Sequence, residues 1–538
     1  MSKTKSPVTR RSFLKTTLAA AAGAAALPRA GFAFTPPQTA KYIRYNVMSE
    51  GGKKALKSYA LGIQAMLNLR PEHPQNWFRN AFIHLMDCPH GNWWFFVWHR
   101  GYIGYFEETI RNLSGDTTFA LPYWDWTTLP EIPESMFDGV LTPTDSTGYE
   151  RYTHSLEVFT AFIKPPLEVY WATLNTAQRS QLSTRGYNTF NDMWNDVTGN
   201  GDPGNMAYAT TAKARYLTRT NRHLDADTTY DCSPPVIEGG LAPIDYYNPT
   251  LSLSFTSRKT PSHMTPPARG SFSTLEAMPH NNVHNYVGGV GPWDPGPYGN
   301  MTNFLSPVDP LFFLHHANMD RLWDVWTRKQ QRQGYPILPP EPDLSTLSNE
   351  QFLFYVNGNG QFVGPSKAGE YLSTARFNYE YEPGFGDQLL QTSKARSKRL
   401  LMQAKGVVKG NQATLTLPSN AVKEHLASSA TLFAEVTVPH PGSSSEPRAF
   451  RVFVGAPEGA TDLDPTSPFF AGTIAFFGNM SHAHASPGDA TFAVPLPKNQ
   501  QAFKGLAATN ATTQIRIVPA HGQAPQKPLL KAATIRVV

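Results

Sequence analysis

The spacing of apolar positions changes character along this chain. Over residues 54–70 they recur at helical spacing (Leu56, Tyr59, Ala60, Ile63, Met66, Leu67), which predicts an amphipathic helix. Arg70-Pro71-Glu72-His73-Pro74 ends it, because a residue before proline leaves the α region, and a second helix is expected from Gln75 to His84. A third is expected to start near Phe95, after the break offered by Gly91, and to carry His99, with Glu107 two turns on along a similar face. The run Trp93 to Trp98 reads as core. From Pro130 to about Gly270 proline, threonine and asparagine are frequent and helical patches fall near 153–163 and 176–182. This loop-rich excursion is expected to form an oligomer contact or a wall of a site. Residues 391–406, basic and of low complexity, read as a linker. Beyond it short β-branched and aromatic runs recur between turn residues: 414–417, 431–438, 450–454, 473–477, 491–494, 515–518 and 534–538. They predict an antiparallel sandwich or barrel.

Two histidine clusters punctuate the helical part. The first holds His84, His90 and His99. On an unbroken helix His90 and His99 would lie about 180° apart, so they share an ion only if His90 sits on a loop. The second holds His280 and His284, which at i, i+4 project from one helical face, and the pair His315-His316. Pro279 is well placed to start the helix carrying His280, and Asp320, four after His316, is placed to reach a neighbouring ligand's ring. Imidazole suits copper, zinc, iron and nickel, so each cluster is a candidate half of a metal site. His73, His154, His223 and His263 read as packed or solvent-facing.

Composition adds a compartment and removes some partners. The 538 residues are 40% hydrophobic and 16% charged, enough for a sizeable core. The net charge of +6 is scattered rather than striped, so no nucleic-acid partner is inferred. Thr9-Arg10-Arg11-Ser12-Phe13-Leu14-Lys15, the alanine-rich run to Leu27 and the small residues near Ala33 make residues 1–33 a signal peptide resembling the twin-arginine type. It implies export to the periplasm or beyond, and no other segment suggests a membrane span. Two cysteines, Cys88 and Cys232, allow at most one bridge.

With both histidine clusters in order and flanked as they are, the chain resembles the tyrosinases and polyphenol oxidases. Arg100 and Glu107 follow His99, Leu121-Pro-Tyr-Trp-Asp-Trp126 follows the first cluster's helix, and Tyr379-Glu-Tyr381 looks like the motif closing the catalytic domain. Ile103 stands where the motif usually has another aliphatic residue, and only five residues separate His84 from His90. The resemblance implies a mainly α catalytic domain over 34–390, a four-helix bundle holding a dicopper centre, and over 407–538 an all-β sandwich. That β domain either covers the copper pocket or only stabilises the core. Two copper ions are implied, the first on His84, His90 and His99 and the second on His280, His284 and His316, with dioxygen as co-substrate. His316 is selected over His315 by its spacing to Asp320. Cys88, two before His90, matches the cysteine that forms a thioether to that histidine in some relatives, with a plain buried thiol as the alternative. Glu276 matches the glutamate that orients a water near the second copper, or else caps a helix. Asn281 matches the asparagine that helps this water deprotonate a phenol. Phe304 is the candidate gate over the second copper, and Asn285 would line the entrance.

Three functions follow from the resemblance. The first is a monooxygenase and oxidase that hydroxylates small phenols and oxidises o-diphenols to o-quinones. The second is a catechol or o-aminophenol oxidase, and the third a haemocyanin-like oxygen carrier. A homo-oligomer and a copper chaperone are partners the resemblance allows.

Overall fold

The computed structural model describes residues 40–538 apart from 145, 199–214, 250–252, 266–269, 290–298, 392–402, 429, 442–445, 462, 478–487, 505, 507–511, 522–528 and 538. The signal peptide and most of the expected linker lie outside the described residues.

Helices α1 (Glu50–Asn68), α2 (Trp77–Asp87) and α3 (Phe95–Ser114) follow the periodicity closely. Ser49 caps α1 by accepting the Gly52 N–H, and Asn76 caps α2 by accepting the Phe78 and Arg79 N–H groups. Between α2 and α3 the chain turns at Gly91, whose φ of +66° suits a residue without Cβ. The excursion is more helical than its composition suggests: α4 (Leu156–Thr173), α5 (Thr176–Arg185), α6 (Phe190–Thr198), α7 (Ala226–Asp231) and α8 (Pro234–Leu241). Then come α9 (Asn281–Gly288) and the long α10 (Leu311–Gln333). Pro279 does not start α9. It lies inside a π-helical turn, Glu276–His280, that precedes it. The aromatic run Trp93 to Trp98 is fully buried, as expected of core.

The two ends of the helical part meet. Strand β1 (Tyr42–Arg44) pairs in parallel with β5 (Tyr379–Tyr381), and Arg44 enters the core between them. Its guanidinium bonds Glu107 at 2.8 Å and Asp320 at 3.2 Å; Asp320 also accepts Arg100 Nε at 2.7 Å and the hydroxyls of Tyr379 and Tyr381. Glu107 and Asp320 are therefore framework carboxylates, and neither reaches a histidine ring, contrary to the reading from i, i+4 spacing.

The C-terminal part is a two-sheet β domain. All seven predicted runs are strands: β8 (Gln412–Thr416), β9 (Leu432–Pro439), β10 (Ala449–Val454), β11 (Phe470–Ala475), β12 (Asp489–Pro495), β13 (Thr512–Pro519) and β14 (Ala532–Val537). Two more, β6 (Gln403–Lys405) and β7 (Val407–Lys409), were not legible, and β6 falls inside the stretch expected as linker. One sheet runs β11-β10-β13-β8-β7. The other runs β2-β12-β9-β14-β6, and its edge strand β2 (Ser271–Phe272) belongs to the helical part, pairing in parallel with β12. Between the sheets lies an apolar core that includes Leu415, Val436, Val452, Ile474, Phe492 and Ile515. Helices α7 and α8 seat this domain: Arg451 of β10 grips Asp227 through two nitrogens at 2.8–3.2 Å, and a Cβ on Gly239 would sit 2.6 Å from Pro495. Part of the excursion thus acts as the floor of the β domain.

Candidate metal centre

Four helical segments bring the six histidines together. His84 comes from α2 and His99 from α3, His90 from the loop between them, His280 and His284 from the π-turn and α9, and His316 from α10. All six are buried. Ring centroids lie 5.4 Å apart for His84–His90 and His90–His99, and 4.6 Å and 5.4 Å apart for His280–His284 and His284–His316. The trios touch each other, His99 stacking on His316 at 4.3 Å.

Burial pushes every one of these rings toward the neutral form, His84 and His280 down to about 3. Neutral imidazole is the ligating form. The tautomers are set by the partner of the other nitrogen. His84 Nδ1–H donates to the Phe304 carbonyl, His99 Nδ1–H to Phe95 and His284 Nδ1–H to Met301, each at 2.7 Å, and His280 Nδ1–H donates to Asn281 Oδ1 at 2.8 Å. Each ring is left with a lone pair on Nε2. The Nε2 atoms of His84 and His99 then face each other at 3.4 Å, and those of His284 and His316 at 3.1 Å. The His84 and His99 lone pairs at such a distance repel unless something positive lies between them, and the buried Nε2 atoms of His90 and His280 have no partner among the described residues. The donor set fits metal ions on both sides.

His315 joins the second cluster in space but not in this chemistry. Trp126 Nε1–H donates to its Nδ1 at 3.1 Å, so its proton sits on Nε2 and no lone pair remains for an ion. The preference for His316 acquires a physical basis.

The other expected site residues tie the histidine-bearing segments to their surroundings. Glu276 is fully buried, its Oε1 accepting the Gly91 N–H at 2.6 Å and its Oε2 the Ser257 hydroxyl; burial pushes it up to about 8. It ties the His90 loop to the turn that carries His280. Asn281 orients His280 and donates through Nδ2 to the Ala475 carbonyl of the β domain at 2.6 Å. The Phe304 ring lies 5.4 Å from His90 and 6.3 Å from His84, on the side of the first trio rather than the second. Cys88 Sγ stands 3.4 Å from His90 Nδ1, buried, its thiol pushed up to about 12 by that burial, while Arg185 caps the Cys88 carbonyl and reaches Sγ at 3.8 Å. Asn285, expected at the entrance, donates through Nδ2 to the Phe476 carbonyl at 2.8 Å. His263, read as ordinary, is a buried ring held between Asp87 at 3.0 Å and Glu350 at 2.6 Å, and these carboxylates raise its basicity against the cost of burial.

One functional residue escaped sequence reasoning altogether. Phe477, just past β11, is buried in the mouth of the cluster, its ring 4.4 Å from His284, 4.8 Å from His90 and 5.6 Å from both His280 and Phe304. The predicted strand run ended on this residue, but nothing local told where its ring would go.

Two trios of neutral imidazoles facing one another inside a helical bundle, beneath a β domain that plugs them, define a protein able to hold metal on histidine. The chain belongs to the tyrosinase and polyphenol oxidase family: the common central domain of tyrosinase matches residues 64–329. A twin-arginine translocation signal matches residues 7–28, so the chain is exported by that route, and no helix among the described residues is long and apolar enough to cross a membrane. Among relatives, a latent chloroplastic polyphenol oxidase of Prunus armeniaca is 26% identical over 379 residues, 67% of this chain and 51% of that one. A tyrosinase of Hahella sp. (strain CCB-MM4) is 23% identical over 344 residues, 63% of this chain and 55% of that one. The chain thus spans about half the length of the curated relatives it matches. In fold it is similar to a latent aurone synthase (polyphenol oxidase), with a TM-score of 0.58 at 19% identity, covering 94% of this chain and 91% of that one.

Proposed function

We propose that the chain is a copper-dependent phenol oxidase, which hydroxylates monophenols beside their oxygen and oxidises o-diphenols to o-quinones with dioxygen, and that the β domain holds it closed. The observation that carries this reading is that the Nδ1 atoms of His84, His99, His280 and His284 are each tied to an oxygen, which leaves their Nε2 lone pairs free inside the cluster. His84, His90 and His99 would hold one copper and His280, His284 and His316 the other. When bound, a copper pair supplies the electrons that reduce dioxygen, which no side chain can provide.

The chain's own residues do the rest. The carbonyls of Phe304, Phe95 and Met301 hold the tautomers, and Phe95 and Phe312 wall the rings, 4.7 Å from His280 and 4.1 Å from His316. This keeps water from the site. A phenol ring is expected where Phe477 now sits. The Cys88 sulfur, 3.4 Å from His90 Nδ1, supports a thioether that would lock that ring's orientation.

A second reading, a catechol or o-aminophenol oxidase, is favoured by Glu276. Both its oxygens are engaged by Gly91 and Ser257, so the water-orienting role that would help deprotonate a monophenol is not free to it. The discriminating experiment follows oxygen uptake by copper-loaded Phe477→Ala protein, first with a monophenol and then with a catechol. Turnover of both, lost in His99→Ala, supports the first reading; catechol turnover alone selects the second. Reversible oxygen binding without turnover of either would overturn both in favour of a carrier.

A further inference from the structure

The β domain enters the mouth of the cluster as an extended peptide, and what grips it is directed at main chain. Asp231 Oδ1 accepts the Thr473 N–H at 2.9 Å, Asn282 Nδ2 donates to the Thr473 carbonyl at 2.6 Å, Asn281 Nδ2 to the Ala475 carbonyl and Asn285 Nδ2 to the Phe476 carbonyl. Asn282 is itself held by Asp231 Oδ2 at 2.9 Å, so the amide and the carboxylate form one fixed unit. Among the described residues β11 is an edge strand paired only with β10, and its open side is the one these side chains satisfy. The Phe476 ring points the other way, into the β sandwich, 5.1 Å from Phe492, while the next ring, Phe477, enters the histidine cluster.

None of these four contacts reads a side chain. Any extended segment ending in an aromatic residue could make them, and only a polypeptide presents carbonyls at this spacing from the ring. We infer that the α7–α9 face is a peptide groove, and that the phenol this site takes is the side chain of a tyrosine held in an extended polypeptide. This rests on the copper phenol oxidase reading and narrows its substrate. In the overall reaction one dioxygen is consumed per tyrosyl residue: one oxygen atom enters the ring beside the phenolic carbon, the other leaves as water, and the phenol, losing two hydrogens, becomes an o-quinone.

Gly472 offers a way to open the groove in the full chain. Its φ is +125°, and a Cβ there would lie 2.8 Å from Asp231 Oδ1 and overlap Met278, so Gly472→Val unseats the strand. The probes are the peptide Gly-Thr-Ile-Ala-Phe-Tyr amide, which copies residues 472–477 with tyrosine last, and tyrosine amide. In copper-loaded Gly472→Val the KM for the peptide is expected about tenfold below that for tyrosine amide. Adding Asn282→Ala should raise the peptide's KM severalfold more than that of tyrosine amide. Equal KM values for the two probes would overturn the inference. Should Gly472→Val fail to fold, Phe477→Tyr puts the question in place. Mass spectrometry of copper-loaded protein should find the introduced tyrosine carrying one more oxygen and two fewer hydrogens, and much less so with Asn282→Ala and Asn285→Ala added. An unmodified tyrosine, in a preparation where Phe477→Ala turns over a free monophenol, would contradict the peptide groove. Failure of Phe477→Ala to use a free monophenol would instead sink the phenol-hydroxylating reading on which the groove rests.

Discussion

Asp320 is the most consequential carboxylate outside the histidine cluster, and its substitution separates framework from chemistry. It is 3% exposed and takes charge-assisted bonds from Arg100 and Arg44 and hydroxyl bonds from Tyr379 and Tyr381. Against the cost of burial, the two arginines hold it below the usual carboxylate range. In Asp320→Asn the shape is kept but the charge is lost. Arg44 retains Glu107, while Arg100 keeps the Leu372 carbonyl at 3.2 Å, its stacking over Trp323, the new amide oxygen and the attraction of nearby Asp324, but loses its direct ion pair. Removing one partner of a buried pair costs about 3–5 kcal/mol, because the remaining charge loses its direct counter-charge. Chemical denaturation at about pH 7 should show that loss. The sign with pH is set by the depressed value: the wild-type advantage is full above the unfolded carboxylate's pKa of about 4 and disappears as pH falls through the lower folded value. Since Asp320 touches no histidine, copper bound per folded chain should be unchanged. A loss below about 1 kcal/mol, or a variant that folds normally but loses copper, would refute the reasoning.

Three further outcomes follow. Phe477→Ala should cost about 3–5 kcal/mol in the β domain's docking and raise kcat/KM for catechol at least about tenfold, read by oxygen uptake. Lys329 is buried, donating to the Leu241 carbonyl, and burial pulls it down to about 8. Between that value and the unfolded one near 10.5 the unfolded chain binds more protons, so stability rises with pH there; Lys329→Met should gain about 1–2 kcal/mol at about pH 7 after losing that bond, and the gain should vanish by about pH 10. Cys88→Ser should abolish any cross-link to His90, seen in the mass of the peptide carrying both residues, while leaving the copper content unchanged.

The histidines were legible because their signal is local: i, i+4 spacing, a glycine break, and flanks such as Arg100. The strands of the β domain were legible for the same reason, as alternation between turns. What escaped depends on segments that meet only in the fold. Asn281 and Ala475 are 194 residues apart, and the asparagine's bond to that carbonyl is invisible to any pattern within a helix. Likewise β2 shows nothing of a strand in sequence because β12, far along the chain, supplies its partner. Asp320 illustrates the opposite error. Its spacing from His316 invited a pairing, and two arginines from other elements outcompeted the ring because a buried carboxylate gains more from full charges than from a neutral imidazole.

The central claim is that two trios of histidines each hold a copper. It is tested most directly by elemental analysis of copper-reconstituted full-length chain beside His99→Ala and His284→Ala. The account predicts about two coppers per chain in the parent and about one in each variant, with the folded content preserved. A parent that binds no copper, or variants that keep both ions, would contradict it.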